Sequence, residues 1–199
     1  MSPRLALHLL GPPKLEMDDA PVHADRRKTL ALLAYLTTNR EQYTREYLSA
    51  LLWPDYNQDK AFTNLRHTLW ETGQAIGEGW IIASRETIGL NPDANLWLDV
   101  AQFNSLIVQS RSQTDASLRT SLLADSVSIY RNHFLTGFSL KDAPPFNEWA
   151  FAKSEELRRQ LSHALSTLSD DYCSLGQAET AIPHAQRLVS LDPLNEAFH

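Results

Sequence analysis

Near the start of the chain, apolar residues fall on alternate positions, the period of a strand. Leu5, Leu7 and Leu9 alternate with Ala6, His8 and Leu10 before Gly11-Pro12-Pro13 turns the chain. Lys14-Leu15-Glu16-Met17 alternates again, and Asp18-Asp19-Ala20-Pro21 reads as a second turn. A small antiparallel sheet is expected, covered on one face by the next part of the chain. The period then lengthens to that of a helix. A first helix is predicted over Arg26 to Thr38, with Asp25 as N-cap and Leu30, Leu33, Ala34 and Leu36 inward. A second, short helix is capped by Thr44, with Glu46 in its first turn and Tyr47, Leu48, Leu51 and Leu52 inward. It ends at Trp53-Pro54-Asp55, because a residue before proline avoids the helical region. The third runs from about Gln58 to Ile76 behind an Asn57 cap, with Phe62, Leu65, Leu69 and Ile76 as its apolar stripe. After Gly77 and Gly79, the runs Trp80–Ser84 and Thr87–Asn91 read as a hairpin across Arg85-Glu86, without the usual turn glycine.

Sheet, three helices and hairpin, in that order, is the layout of a winged helix-turn-helix, in which the third helix and the hairpin face DNA. From Asp99 onward the pattern is wholly helical. Asp99-Val100-Ala101-Gln102 has the spacing of a capping box and opens a helix ending near Arg111. Further helices are predicted over Ser117–Tyr130, from Pro144-Pro145 to Leu175, and over Ala178–Leu191. Between them lies the aromatic loop Phe134-Leu135-Thr136-Gly137-Phe138. Leu165, Leu168, Tyr172, Gly176, Ala181 and Pro193 fit the tetratricopeptide spacing of two antiparallel helices per about 34 residues, with Ser169 where glycine is usual. The expected fold is mainly α: a winged helix over residues 1–98, then an all-α, tetratricopeptide-like domain over 99–199. Such repeats bury their faces on neighbours, and another would begin at Ala197-Phe198-His199, so downstream domains of a longer chain are expected.

Composition narrows the chemistry. The single cysteine, Cys173, has no internal disulfide partner, which suits a reducing cytoplasm, and its place beside Tyr172 suggests a buried apolar role. The short apolar run before Gly11 has neither the length of a membrane span nor the shape of a secretion signal. The histidines show no metal-binding spacing and the glycines form no phosphate loop. Adjacent Asp170-Asp171 and Glu155-Glu156 point in different directions on a helix. Neither an enzyme nor a cofactor is expected. The net charge of -6, from 18 Lys and Arg against 24 Asp and Glu, does not by itself nominate nucleic acid. Only Asp25 to His67 tips positive, with 7 basic and 5 acidic residues.

Several segments resemble the streptomycete-antibiotic-regulatory-protein-like activators. These are Leu9-Leu10-Gly11-Pro12, Arg27-Lys28-Thr29-Leu30-Ala31-Leu32-Leu33-Ala34, Leu51-Leu52-Trp53-Pro54-Asp55 and Asn64-Leu65-Arg66-His67-Thr68-Leu69. Asp99-Val100-Ala101-Gln102-Phe103 extends the likeness beyond the hairpin. Phe134-Leu135-Thr136-Gly137-Phe138 and the Glu148-Trp149 helix carry it further. The resemblance implies an OmpR-type winged helix joined to a bacterial transcriptional activation domain. It also implies that the Trp53–Asn57 loop is available to RNA polymerase.

The helical wheel exposes Lys60, Thr63, Asn64, His67, Trp70, Glu71 and Gln74, with Arg66 on the flank. Asparagine pairs bidentately with adenine, and arginine suits guanine or a phosphate. Asn64, Arg66 and His67 are therefore the candidates for base contact, and Lys60 and Thr63 for phosphates. Thr44 and Arg45, at a helix N-terminus, are further phosphate candidates, and Arg85 at the hairpin tip is a minor-groove or backbone probe. Trp70 is placed against either the wing or DNA. The basic first turn of Arg26, Arg27 and Lys28 is unfavourable to the helix dipole, which leaves a functional reason or plain solvation open. Two functions fit this pattern. One is an activator binding double-stranded promoter DNA, whose helical domain provides homodimer contacts or receives a downstream signal. The other is a protein-interaction scaffold whose winged helix no longer binds DNA, as the acidic balance permits.

Overall fold

A computed structural model of the chain describes residues 3–22 and 26–191. The amino-terminal strands are β1 (Leu5–His8), β2 (Lys14–Met17) and β3 (Ala20–Val22). Asp18 and Asp19, both at positive φ, make the turn by themselves. Ala20 and Pro21, expected within that turn, instead belong to a strand paired with β2 through Glu16↔Pro21 and Met17↔Ala20. Proline is tolerated there because β3 is an edge strand.

Three helices come next: α1 (Arg27–Asn39), α2 (Arg45–Leu52) and α3 (Gln58–Ile76). Asp25 lies outside the described residues, and Arg26 occupies the cap position of α1 without a side-chain bond. The other two caps are as expected: Thr44 Oγ1 accepts from the Tyr47 amide, and Asn57 Oδ1 from the Lys60 amide. In α3 the buried positions are Ala61, Leu65, Thr68, Thr72 and Ile76, while Phe62 and Leu69 are only half-buried. The packed face is thus turned by about one position from the expected stripe. Small residues Ala61, Thr68 and Thr72 allow α3 to lie close on its neighbours.

Strands β4 (Tyr43–Thr44), β5 (Ile81–Ala83) and β6 (Thr87–Leu90) form a sheet of order β4-β6-β5. The β5–β6 hairpin is the wing. Strand β4, absent from the sequence reading, is two residues long and carries no alternation to detect. Its approach requires a glycine opposite, since a Cβ on Gly89 would stand 2.9 Å from Gln42 Cγ and 3.2 Å from the Glu41 carbonyl oxygen. A further strand, β7 (Leu96–Leu98), joins the first sheet parallel to β1, in the order β3-β2-β1-β7.

Parallel pairing of Leu7 with Leu98 delivers Asp99 to the end of β1. Its carboxylate accepts from the amides of Leu9 (2.9 Å) and Leu10 (2.8 Å), and from Val100 (2.8 Å) at its own helix start. The expected capping box does not form: Leu98 holds the cap position of α4 (Asp99–Arg111) without a side-chain bond. Asp99 is instead a buried clasp between the two halves of the chain, with Arg131 at 3.6 Å. Burial pushes its carboxyl up, against the three amides and His8, which pull it down.

The remaining helices are α5 (Ala116–Ile129), α6 (Pro144–Ser174) and α7 (Ala178–Leu191), each packed antiparallel on its predecessor as in tetratricopeptide repeats. Gly176, at φ +73°, ends α6 and permits the turn into α7. Pro193 and the last residues lie outside the described set. Arg119 grips Asp171 with two bonds of 2.7 and 2.6 Å, joining α5 to α6. Arg187 of α7 donates to the carbonyls of Val127 (3.0 Å) and Tyr130. Cys173 is exposed, contrary to the expected burial. It lies a step around the helix from Tyr172, whose ring stacks on His184 of α7 at 5.6 Å.

One apolar core runs from Leu5 to Leu188 without a break at residue 99. The aromatic loop is the bridge. Leu135, at φ +53°, gives its amide to the Leu9 carbonyl (2.8 Å), and Phe134 pairs with Leu10. Trp149 of α6 packs on Tyr35 of α1 at 4.6 Å and on Phe134 at 5.7 Å. The basic first turn of α1 is part of the same seam. Arg27 donates twice to the Ser139 carbonyl and lies 4.7 Å from the Phe138 ring centroid. Lys28 bonds the Leu52 carbonyl and pairs with Asp142 at 2.9 Å. The unfavourable charge at the start of α1 is therefore offset by partners in the loop ahead of α6.

Candidate nucleic-acid interface

Helix α3 is held from beneath by Leu65 and Ile76, so its polar side faces solvent along most of its length. Lys60, Thr63, Arg66 and His67 are exposed, and Asn64 is half-buried. Lys60 sits 4.6 Å above the Tyr56 ring. Thr63 Oγ1 donates to the Asp59 carbonyl (2.9 Å) and accepts from Arg66 Nη2 (3.1 Å), which extends the guanidinium back along the helix. Among the described residues the Asn64 side-chain carboxamide has no hydrogen-bond partner. It lines a recess of about 240 Å³ with Arg26, Lys28, Trp53, Thr63, His67 and Thr68.

His67 is more constrained than the helical wheel implies. Its Nδ1 stands 3.2 Å from Glu71 Oε1, which also takes Arg26 Nε at 2.7 Å. Glu71, expected on the exposed face, is largely covered by these two partners, with its side chain 17% exposed. This arrangement is legible in sequence as a His–Glu pair four positions apart; the part played by Arg26 is not. Trp70, 62% exposed, borders a cleft of about 410 Å³ between the end of α3 and the wing, with Gln74, Trp80 and Ala83. Its ring stands 5.7 Å from that of His67.

The wing turn stands across a second cleft, of about 530 Å³, lined by Arg45, Asp59, Phe62, Thr63, Leu65, Arg66 and Arg85. Three arginines from three separate elements thus converge beside the start of α3. Arg66 rises from the helix, Arg45 from the start of α2, and Arg85 from the wing tip. Thr44 does not join them through its side chain, whose oxygen is engaged in capping α2. Glu46 and Glu86 lie close in sequence to these cations, and Asp59 lines the cleft itself, so the positive field there is local.

Ser84 is the residue that sequence reasoning missed. Its hydroxyl accepts from the amides of Glu86 (3.1 Å) and Thr87 (2.9 Å), closing the turn from within. A serine ahead of a two-residue turn is the available signal, because its hydroxyl can stand in for a backbone acceptor.

Among the described residues, no group of three or more metal-ligating side chains occurs, and no helix is long and apolar enough to cross a membrane.

Comparison with known proteins gives a family and a fold. Residues 98–199 match the family described as bacterial transcriptional activator domain. Across 99% of its length the chain superposes on Mycobacterium tuberculosis EmbR, solved in complex with a low-affinity phosphopeptide, with a TM-score of 0.77 at 19% identity. It spans about half of that protein, 53% of the EmbR chain. No curated protein matches the chain.

Proposed function

Because the chain belongs to the bacterial transcriptional activator domain family, that of SARP-type regulators, we propose that it regulates transcription by binding promoter DNA through α3 and the wing. In this reading residues 1–98 form the DNA-binding domain and residues 99–199 the activation domain. The observation that carries it is the cleft where Arg45, Arg66 and Arg85 converge beside the exposed polar side of α3. A duplex laid on that side meets Asn64, Arg66 and His67 with its base edges. Lys60 and the wing tip then meet the flanking phosphates.

The seam between the two halves favours a single rigid reader. Asp99, Leu135, Arg27, Lys28 and Trp149 all cross it, and Lys28 reaches the carbonyl of Leu52. Of the Trp53–Asn57 loop immediately beyond, Trp53 is buried in the core, so only Pro54 to Asn57, which are exposed, form the surface offered to RNA polymerase. The helical half thereby holds that loop and α3 in one frame. Residence in the cytoplasm and a homodimer on promoter DNA belong to the same proposal.

Selection of bound duplexes from a random pool tests it. Successive rounds with the purified chain should enrich one recurring sequence. A pool that stays random after several rounds would remove sequence-specific binding from the account.

A further inference from the structure

Resting on that reading of the interface, we infer that Arg45 is a positioning residue: it sets Arg85 over the cleft and does not itself hold DNA. Arg45 grips the wing turn at both flanks of Arg85. Its Nε and Nη2 donate to the Ser84 carbonyl at 3.0 and 2.8 Å, and its backbone amide donates to the Glu86 carbonyl at 3.0 Å. The residue between those two carbonyls is Arg85, exposed and, among the described residues, without any partner of its own.

The turn needs such a grip. Two-residue hairpin loops match the twist of their strands when the central residues take positive φ, which favours glycine and asparagine. The Arg85-Glu86 pair has neither, and neither residue is at positive φ. Left alone, a turn of this kind splays the strands and lets its tip wander. Ser84 ties it from inside, Thr87 reaches Gln42 at 3.2 Å, and Arg45 ties it from outside to the first residue of α2. Since α2 is packed beneath α3, the tip is fixed relative to the helix that reads the bases. An arginine is required at position 45 because two donors on one planar edge hold a carbonyl in a way a single ammonium does not.

The test uses the whole chain, a duplex carrying its selected site, and four variants: Arg45→Gln, Arg45→Lys, Arg85→Ala and Arg45→Gln/Arg85→Ala. Loss of the one phosphate contact made by Arg85 should weaken binding roughly tenfold and lower the salt slope by about one. Arg45→Gln should cause a loss no larger than this, and none beyond it when Arg85 is already alanine. Arg45→Lys, which keeps the charge, should behave as Arg45→Gln. Additive losses, a salt slope lowered by about two in the double variant, or wild-type affinity in Arg45→Lys would each make Arg45 a phosphate contact and overturn the inference.

Hydrogen exchange at the Glu86 and Thr87 amides supplies a readout independent of DNA. Arg45→Gln should speed both while Arg85→Ala leaves them unchanged; unaltered exchange in Arg45→Gln overturns the grip itself. A wild-type chain that binds no duplex removes the DNA interface, while the exchange measurement still decides whether Arg45 fixes the tip.

Discussion

Replacing Asn64, Arg66 and His67 together with alanine is expected to abolish discrimination between the selected site and unrelated duplex while leaving the fold intact. The three side chains lie on the solvent side of α3. Their contacts with the rest of the chain are few: the Arg66–Thr63 hydrogen bond, the His67–Glu71 pair and the ring contact of His67 with Trp70. A helix pair four positions apart stabilises by only about 0.3–0.5 kcal/mol, Glu71 keeps Arg26 as its partner, and alanine is the best helix former, so the melting temperature should barely change. Discrimination is another matter. A well-placed side chain on a base edge contributes about 1–3 kcal/mol against the wrong base. Three lost together reduce the specificity ratio by at least roughly 100-fold. Gel shifts with the selected and a scrambled duplex read that ratio directly. A triple variant that discriminates as well as wild type would move recognition elsewhere on the molecule.

Asp99→Ala is expected to be the most damaging single change to the fold. It removes the acceptor for three buried amides, those of Leu9, Leu10 and Val100. A buried donor left without a partner costs about 1–3 kcal/mol, so a total of about 3–5 kcal/mol is expected once some relaxation is allowed. In a chain of 199 residues that corresponds to a fall of about 6–20 °C in melting temperature. Arg131, whose side chain is 46% exposed, returns to solvent at little cost. Calorimetry checks the outcome. A melting temperature unchanged within a degree would mean that the clasp contributes nothing to the joining of the two halves.

The sequence exposed the helices well because their signals are local. The caps Thr44 and Asn57, the Pro144-Pro145 start and the Gly176 stop each act within a turn of the backbone they terminate. What escaped is set by distant partners. Leu96 to Leu98 have no alternation of their own, and their strand exists because β1 is available to pair with them. Asp99 has the spacing of a cap, yet the carboxylate is drawn across to residues about 90 positions earlier. Arg26, Arg27 and Lys28 look like a charged helix start until Glu71, Ser139 and Asp142 are brought to them. In the candidate interface, the polar side of α3 was legible from its period, although Phe62 and Leu69 showed that period to be turned by about one residue. The hold of Arg45 on the wing turn was not. Whether a guanidinium faces a duplex or a carbonyl of its own chain depends on where the wing folds, and Ser84 sits 39 positions from Arg45.

With a net charge of -6, the proposed DNA binding would rest on a few directed cations and not on bulk attraction. Titration of the selected duplex against a scrambled one, over about 50–200 mM salt, measures this directly. With Lys60 and Arg85 each neutralising a phosphate, log affinity for the selected site should fall linearly with log salt at a slope of about -2, and the scrambled duplex should bind far more weakly throughout. Weak binding to both duplexes with no dependence on salt would contradict DNA recognition by α3 and the wing.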